Sequence, residues 1–162
     1  MIEMKVNGLA IDSASKMPVV ILTDSDEKFF LPIWIGVYEA DAILIALEDI
    51  PTPRPMPHEL ISNIFNTLNI KVDRIVINEI KDNTFYAKIH LIKDQNDYEI
   101  DSRPSDAIAI ALRTGAAIFV TEKIVTEATV TDKEKCKREM EEFKEFLKNS
   151  KTIRFFRISK FF

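Results

Sequence analysis

The order of apolar and polar positions divides the chain into short strands and a few helices. Residues 3–11 and 17–23 alternate or run apolar with Val and Ile, and "KFFLPIWI", 28–35, is rich in aromatic and β-branched residues, so three strands are predicted. Turn signals at Asp12-Ser13 and Asp24-Ser25-Asp26 separate them. "EADAILIALED", 39–49, is apolar almost all round, which predicts a helix buried on more than one side. The proline-dense "PTPRPMPHE", 51–59, cannot be helical before the next segment begins. Leu60, Ile61, Ile64, Phe65 and Leu68 then stand at helical spacing over 58–68, with Pro57 suited to the first turn. "KVDRIVINEI", 71–80, and "TFYAKIHLIK", 84–93, read as strands joined by Lys81-Asp82-Asn83, with a short third strand near 98–100. A helix over 104–113 stops near Gly115, and "AAIFV", 116–120, is a short buried strand. Over 132–149 a narrow stripe of Cys136, Met140, Phe143 and Leu147 marks a charged amphipathic helix that should lie on the body or on a second subunit.

"DAILIAL", 41–47, matches "DAIAIAL", 106–112, and each follows a group of strands. The expected fold is therefore α+β, a duplicated antiparallel strand-strand-strand-helix unit with mixed or antiparallel sheets and buried helices, plus the C-terminal amphipathic helix. A body over 1–130 and a C-terminal helix and tail over 131–162 are the expected divisions.

Composition narrows the classes. A chain of 162 residues, 46% hydrophobic and 30% charged, can bury a core of its own. No apolar run approaches the roughly 18 residues that would span a bilayer. "MIEMKVNG" lacks a basic region followed by an apolar one, so a cytoplasmic location is expected. The single Cys136 excludes an internal disulfide and a multi-cysteine zinc site. Acidic residues outnumber basic ones over 1–130, and the reverse holds over 131–162. An acidic body repels a phosphate backbone, so any nucleic-acid contact must use a local basic patch, a metal or the C-terminal segment. That segment, "KNSKTIRFFRISKFF", 148–162, carries five basic residues, no acid and four phenylalanines. Docking of its phenylalanines on the body is favoured over nucleic-acid or membrane-surface contact.

"DSRPSDAIAIALR", 101–113, sets a concentrated polar mouth in front of a very apolar helix. Pro104 suits the first helical position, Arg103 the cap, and Asp106 the third position, where a carboxylate meets unpaired N–H groups. Asp41 occupies the matching letter of the other copy, so both aspartates read as caps. Arg103 and Asp101 have no counterpart there. A guanidinium beside a helix N-terminus is a receptor for phosphate or carboxylate; a structural Arg103–Asp101 or Arg103–Glu39 pair is the equal alternative. Arg54, held between Pro53 and Pro55, is a second cation, and His58 follows it. His90, mid-strand beside Tyr86, Lys88 and Ile92, is given no chemical role. With only Gly8, Gly36 and Gly115 there is no phosphate-binding glycine loop, and no HExxH, GxSxG or EF-hand pattern is present.

"LPIWIG" (31–36), Glu39-Ala40, "PRP" (53–55) with His58 behind it, "DNTFYA" (82–87) and "DSRPSDAIAIALRTGAAIFV" (101–120) resemble, in order and spacing, the bifunctional nuclease family. The resemblance covers roughly residues 3–128. It implies an α+β fold and cleavage of both DNA and RNA, and it carries over Glu39, Arg54, His58, Asp82, Asp101, Arg103, Ser105 and Asp106. Pro57 departs from it, because the family pattern has Thr before the histidine. On this footing Arg103, Asp101, His58 and Arg54 are the expected catalytic groups, and Arg103, Arg54 and Ser105 the substrate contacts. Arg103 and Arg54 would neutralise phosphate oxygens while His58 or a carboxylate activates the nucleophile. Glu39, Asp82, Asp101 and Asp106 would hold Mg²⁺ or Mn²⁺ if they converge. Arg54, His58, Asp101 and Arg103 are expected to share one cleft, and a homo-oligomer is expected. The competing class is a noncatalytic module that binds an anion or a partner through the same arginines.

Overall fold

The computed structural model describes residues 1–128 and 133–149. β1 (Ile2–Ile11), β2 (Pro18–Asp24) and β3 (Phe30–Trp34) form an antiparallel meander that leads into α1 (Val37–Leu47) and α2 (Pro57–Thr67). β4 (Lys71–Lys81), β5 (Thr84–Lys93) and β6 (Asn96–Ser102) form a second meander that leads into α3 (Pro104–Thr114). β7 (Ala117–Val120) lies between the meanders, antiparallel to β1 and parallel to β4. One seven-stranded mixed sheet results, in the order β3-β2-β1-β7-β4-β5-β6. The two halves match only as far as strand-strand-strand-helix, because α1 is followed by α2 and α3 by β7. α4 (Glu122–Ala128) and α5 (Lys133–Asn149) complete the described residues.

α3 explains its own composition. Ala107, Ile108, Ala109, Ile110 and Ala111 are all buried, because the helix packs on the sheet and is flanked by α1 and α2. Small alanines let the α1 and α3 backbones approach, and Arg113 ties them together by donating to the carbonyls of Ala109 and Ala42, both at 2.9 Å. Gly115 closes α3 at φ 72, a left-handed conformation that glycine adopts without steric cost.

β2 is buried along its whole length because both of its faces are covered. Val20 and Leu22 join the main core, whereas Val19 and Ile21 meet Cys136 and Met140 of α5. The apolar stripe of α5 thus lies on its own body. Two hairpin turns use residues in the left-handed region, Asp82-Asn83 between β4 and β5 and Asp94-Gln95 between β5 and β6, as two-residue turns of that hand require. The sequence reading offered no element for α4, whose adjacent Ile124 and Val125 are buried without a helical stripe long enough to register. The cation- and phenylalanine-rich segment lies outside the described residues from 150 onward.

Candidate functional site

Three helix N-termini meet at one point. α1 contributes Glu39 at its third position, α2 contributes His58 at its second, and α3 contributes Arg103 as cap and Asp106 at its third. Each helix starts where the sequence forces a start, at Gly36 after an extended strand, at Pro57 and at Pro104. Glu59 secures the α2 end by accepting from the Met56 backbone N–H at 3.1 Å and the Thr52 hydroxyl at 3.0 Å.

Arg103 holds the cluster together. Its Nε donates to Asp106 Oδ2 at 2.7 Å and its Nη2 to Asp106 Oδ1 at 3.0 Å, while Nη1 donates to Glu39 Oε1 at 2.8 Å. Asp106 Oδ1 also stands 2.9 Å from His58 Nε2. The side chains grade from wet to dry, with Arg103 64% exposed, Asp106 26% and His58 14%. Hydrogen bonds donated to Asp106 and Glu39 raise the Arg103 pKa still further, so it is a permanent cation. Burial alone would push the Asp106 carboxyl up, but its bonds from Arg103 and His58 outweigh burial and hold it below the usual carboxylate range. Asp106 is accordingly an anionic acceptor, which requires the proton of a neutral His58 to sit on Nε2 and leaves Nδ1 with its lone pair.

Several expectations change. Asp106 occupies the third helical position as read, yet its side-chain bonds go to Arg103 and His58. Asp41 is not its equivalent: α1 begins at Val37, so the first-turn acid is Glu39 and Asp41 falls in the second turn. Of the two pairings open to Arg103, the one with Glu39 forms. Asp101 makes no bond to it and occupies an exposed β6 position paired with Lys88. Arg54 lies exposed in the connection before α2 and bonds to no described residue. Asp82 occupies the β4–β5 turn at φ 50, where its tolerance of a left-handed backbone gives it a structural use. Ser105 is buried in the first turn of α3. Of Arg54, His58, Asp101 and Arg103, only His58 and Arg103 are joined by hydrogen bonds, through Asp106. Nor do Glu39, Asp82, Asp101 and Asp106 converge, and among the described residues no three His, Cys, Asp or Glu side chains could share a metal ion. One neighbour went unread in the sequence: Tyr38, beside Glu39 at the open end of α1, is 87% exposed.

The polar residues gathered here are among those of the resembling motifs. Residues 20–133 match the bifunctional nuclease domain. The chain belongs to that family. An uncharacterized protein of Mycobacterium tuberculosis, found in two strains, is 36% identical over 154 residues, 90% of this chain and 92% of its own length. A protein of Oryza sativa subsp. indica named bifunctional nuclease 1 is 29% identical over 116 residues, 70% of this chain but 35% of the rice protein. A bifunctional nuclease of Oryza minuta gives the same figures of 29%, 70% and 35%. The matched region of the bifunctional nuclease domain runs from β2 through α4 and contains all four members of the cluster. No helix among the described residues is long and apolar enough to cross a membrane.

Proposed function

We propose that this bifunctional nuclease domain hydrolyses phosphodiester bonds of DNA or RNA at the meeting point of α1, α2 and α3. The contact that carries the reading is the 2.9 Å pairing of His58 Nε2 with an Asp106 that Arg103 keeps charged. His58 Nδ1 takes a proton from the attacking water as its oxygen bonds to phosphorus; the P–O bond to the leaving oxygen breaks, and that oxygen keeps the electron pair and is protonated by solvent. Asp106 is a positioning residue that fixes the imidazole. Arg103 uses three of its five N–H bonds on carboxylates, so two remain on an exposed guanidinium to meet a nonbridging oxygen.

Charge sets a limit on this site. One guanidinium faces two carboxylates, so with neutral His58 the cluster is net negative, and phosphate must be drawn in by the open helix N-termini. A divalent ion fits poorly, since Glu39 and Asp106 are already bonded to a cation; Mg²⁺ or Mn²⁺ would need the substrate phosphate and water for most of its ligands.

The test is cleavage of single-stranded DNA, RNA and duplex DNA by the purified chain, with and without EDTA. His58→Gln and Arg103→Ala should each lower cleavage by about 100-fold or more. Cleavage that survives both substitutions, or that disappears in EDTA and returns with Mg²⁺, overturns these roles. The prior engagement of Arg103 by two carboxylates favours a second reading, a noncatalytic module in which the cluster braces α1 against α3 and binds an anion weakly. Anion binding without cleavage in the intact protein would establish it.

A further inference from the structure

A second feature lies apart from the cluster. A cavity of about 690 Å³ opens between α1, the β1–β2 connection and the C-terminal half of α5, and it shares no residue with the His58 site. Its size is that of cavities that enclose a ligand. Leu9, Leu44, Ile50, Phe143 and Leu147 supply apolar walls, and Asp41, Glu48 and Asp49 stand on the α1 side. None of these three carboxylates is paired with a described residue. α1 has no basic residue in its last turn, so the negative end of its dipole is uncompensated and Glu48 and Asp49 deepen it. Burial pushes the Asp41 carboxyl up. The rim lysines, Lys16, Lys144 and Lys148, belong to the opposite walls.

Residues 150–162, "SKTIRFFRISKFF", continue directly from the wall that Leu147 and Lys148 form. They contain Phe155, Phe156, Phe161 and Phe162 together with Lys151, Arg154, Arg157 and Lys160, and no acid. Extended, such a length reaches about 40 Å, ample for return across the cavity. We infer that residues 150–162 of the same chain fold back into this cavity, burying phenylalanines against Leu44, Phe143 and Leu147 and setting their cations against Asp41, Glu48 and Asp49. Departure from the lysine-bearing wall directs those cations toward the acidic one. The inference does not depend on the nuclease reading.

The experiment compares methyl NMR spectra of the full chain and of a chain ending at Asn149, which retains every described element. Signals of Leu44, Ile50 and Leu147 should shift on truncation while those of Ile75 and Ile77 stay in place. A synthetic peptide of residues 150–162 should move them back. A peptide with Phe155→Ala and Phe156→Ala should bind roughly tenfold more weakly for each phenylalanine removed. Should the shortened chain fail to fold, the same two substitutions in the full chain give the same readout. Unchanged cavity signals overturn the inference. So does a shift that fades on dilution with a mass of two chains by light scattering, which would assign the cavity to the segment of a second copy. Movement of the segment's signals only when RNA or anionic vesicles are added overturns it as well.

Discussion

Asp106→Asn tests whether the cluster is an integrated electrostatic unit. The substitution keeps size and removes the charge, and it places an amide donor where the carboxylate accepts three hydrogen bonds, two from Arg103 and one from His58. Whichever way the amide turns, one side faces a donor. Hydrogen bonds to charged groups contribute about 1.5–3 kcal/mol each when shielded. Water around the 64%-exposed Arg103 screens two of the three, which reduces each of those to about 0.5 kcal/mol. The expected loss near pH 7 is therefore about 2.5–4 kcal/mol, or a fall in Tm of roughly 5–16 °C for a chain of this size. The pH dependence has a definite sign. The Asp106 pKa is lower in the folded than in the unfolded chain, so its contribution is complete above the unfolded value of about 3.9 and disappears as the pH falls toward the folded value. Urea unfolding followed through Trp34, the single tryptophan, should show a wild-type advantage that is largest near neutrality and closes below about pH 4. Asp101→Asn, at an exposed strand position, should stay within about 0.5 kcal/mol throughout. An advantage under 0.5 kcal/mol at pH 7, or one that persists unchanged into acid, refutes the reasoning.

Four further expectations follow from particular contacts. A Cβ at Gly36 would overlap the Glu39 carboxylate, although the extended backbone there suits alanine; Gly36→Ala should swing Glu39 off Arg103 at a cost under about 1 kcal/mol and, like Glu39→Gln, tighten oligonucleotide binding several-fold by fluorescence anisotropy. Tyr38→Ala should raise KM for single-stranded substrate with kcat unchanged, because an exposed ring beside the site is suited to stack on a base. Ile108→Ala, at a fully buried position of α3, should cost about 3–4 kcal/mol by urea unfolding. Met140→Ala should cost about 2–3 kcal/mol, and adding Gly8→Ala should cost less on that background than alone, since the Gly8 Cβ would otherwise meet Met140 Sδ at 3.2 Å.

The strands and helices were legible wherever periodicity and stops agreed. β5 begins and ends where its alternation does, and α3 runs from Pro104 to the Gly115 cap. β6 was half hidden, because an edge strand with exposed positions carries only Tyr98 and Ile100 as apolar marks. α4 gave no stripe to read. The dual burial of β2 was implicit in its continuous apolar run, but that α5 supplies the second cover is a tertiary fact, one that no local pattern contains.

The site was legible in its members and not in its wiring, and Asp41 shows why. Matching letters placed Asp41 opposite Asp106, yet the environment of a carboxylate near a helix start depends on its distance from the cap. Counted from the cap, the equivalent residues are Glu39 and Asp106, each third in its helix. Both end on Arg103. The arginine without a counterpart in the first half is thus the joint between two corresponding helix ends, and its single charge offsets the repulsion between the two carboxylates there. Bracing the fold and meeting an anion are therefore not exclusive for this residue. The first uses three N–H bonds directed at carboxylates, the second needs the two left over, and Gly36→Ala separates them by releasing one of the three without touching the arginine.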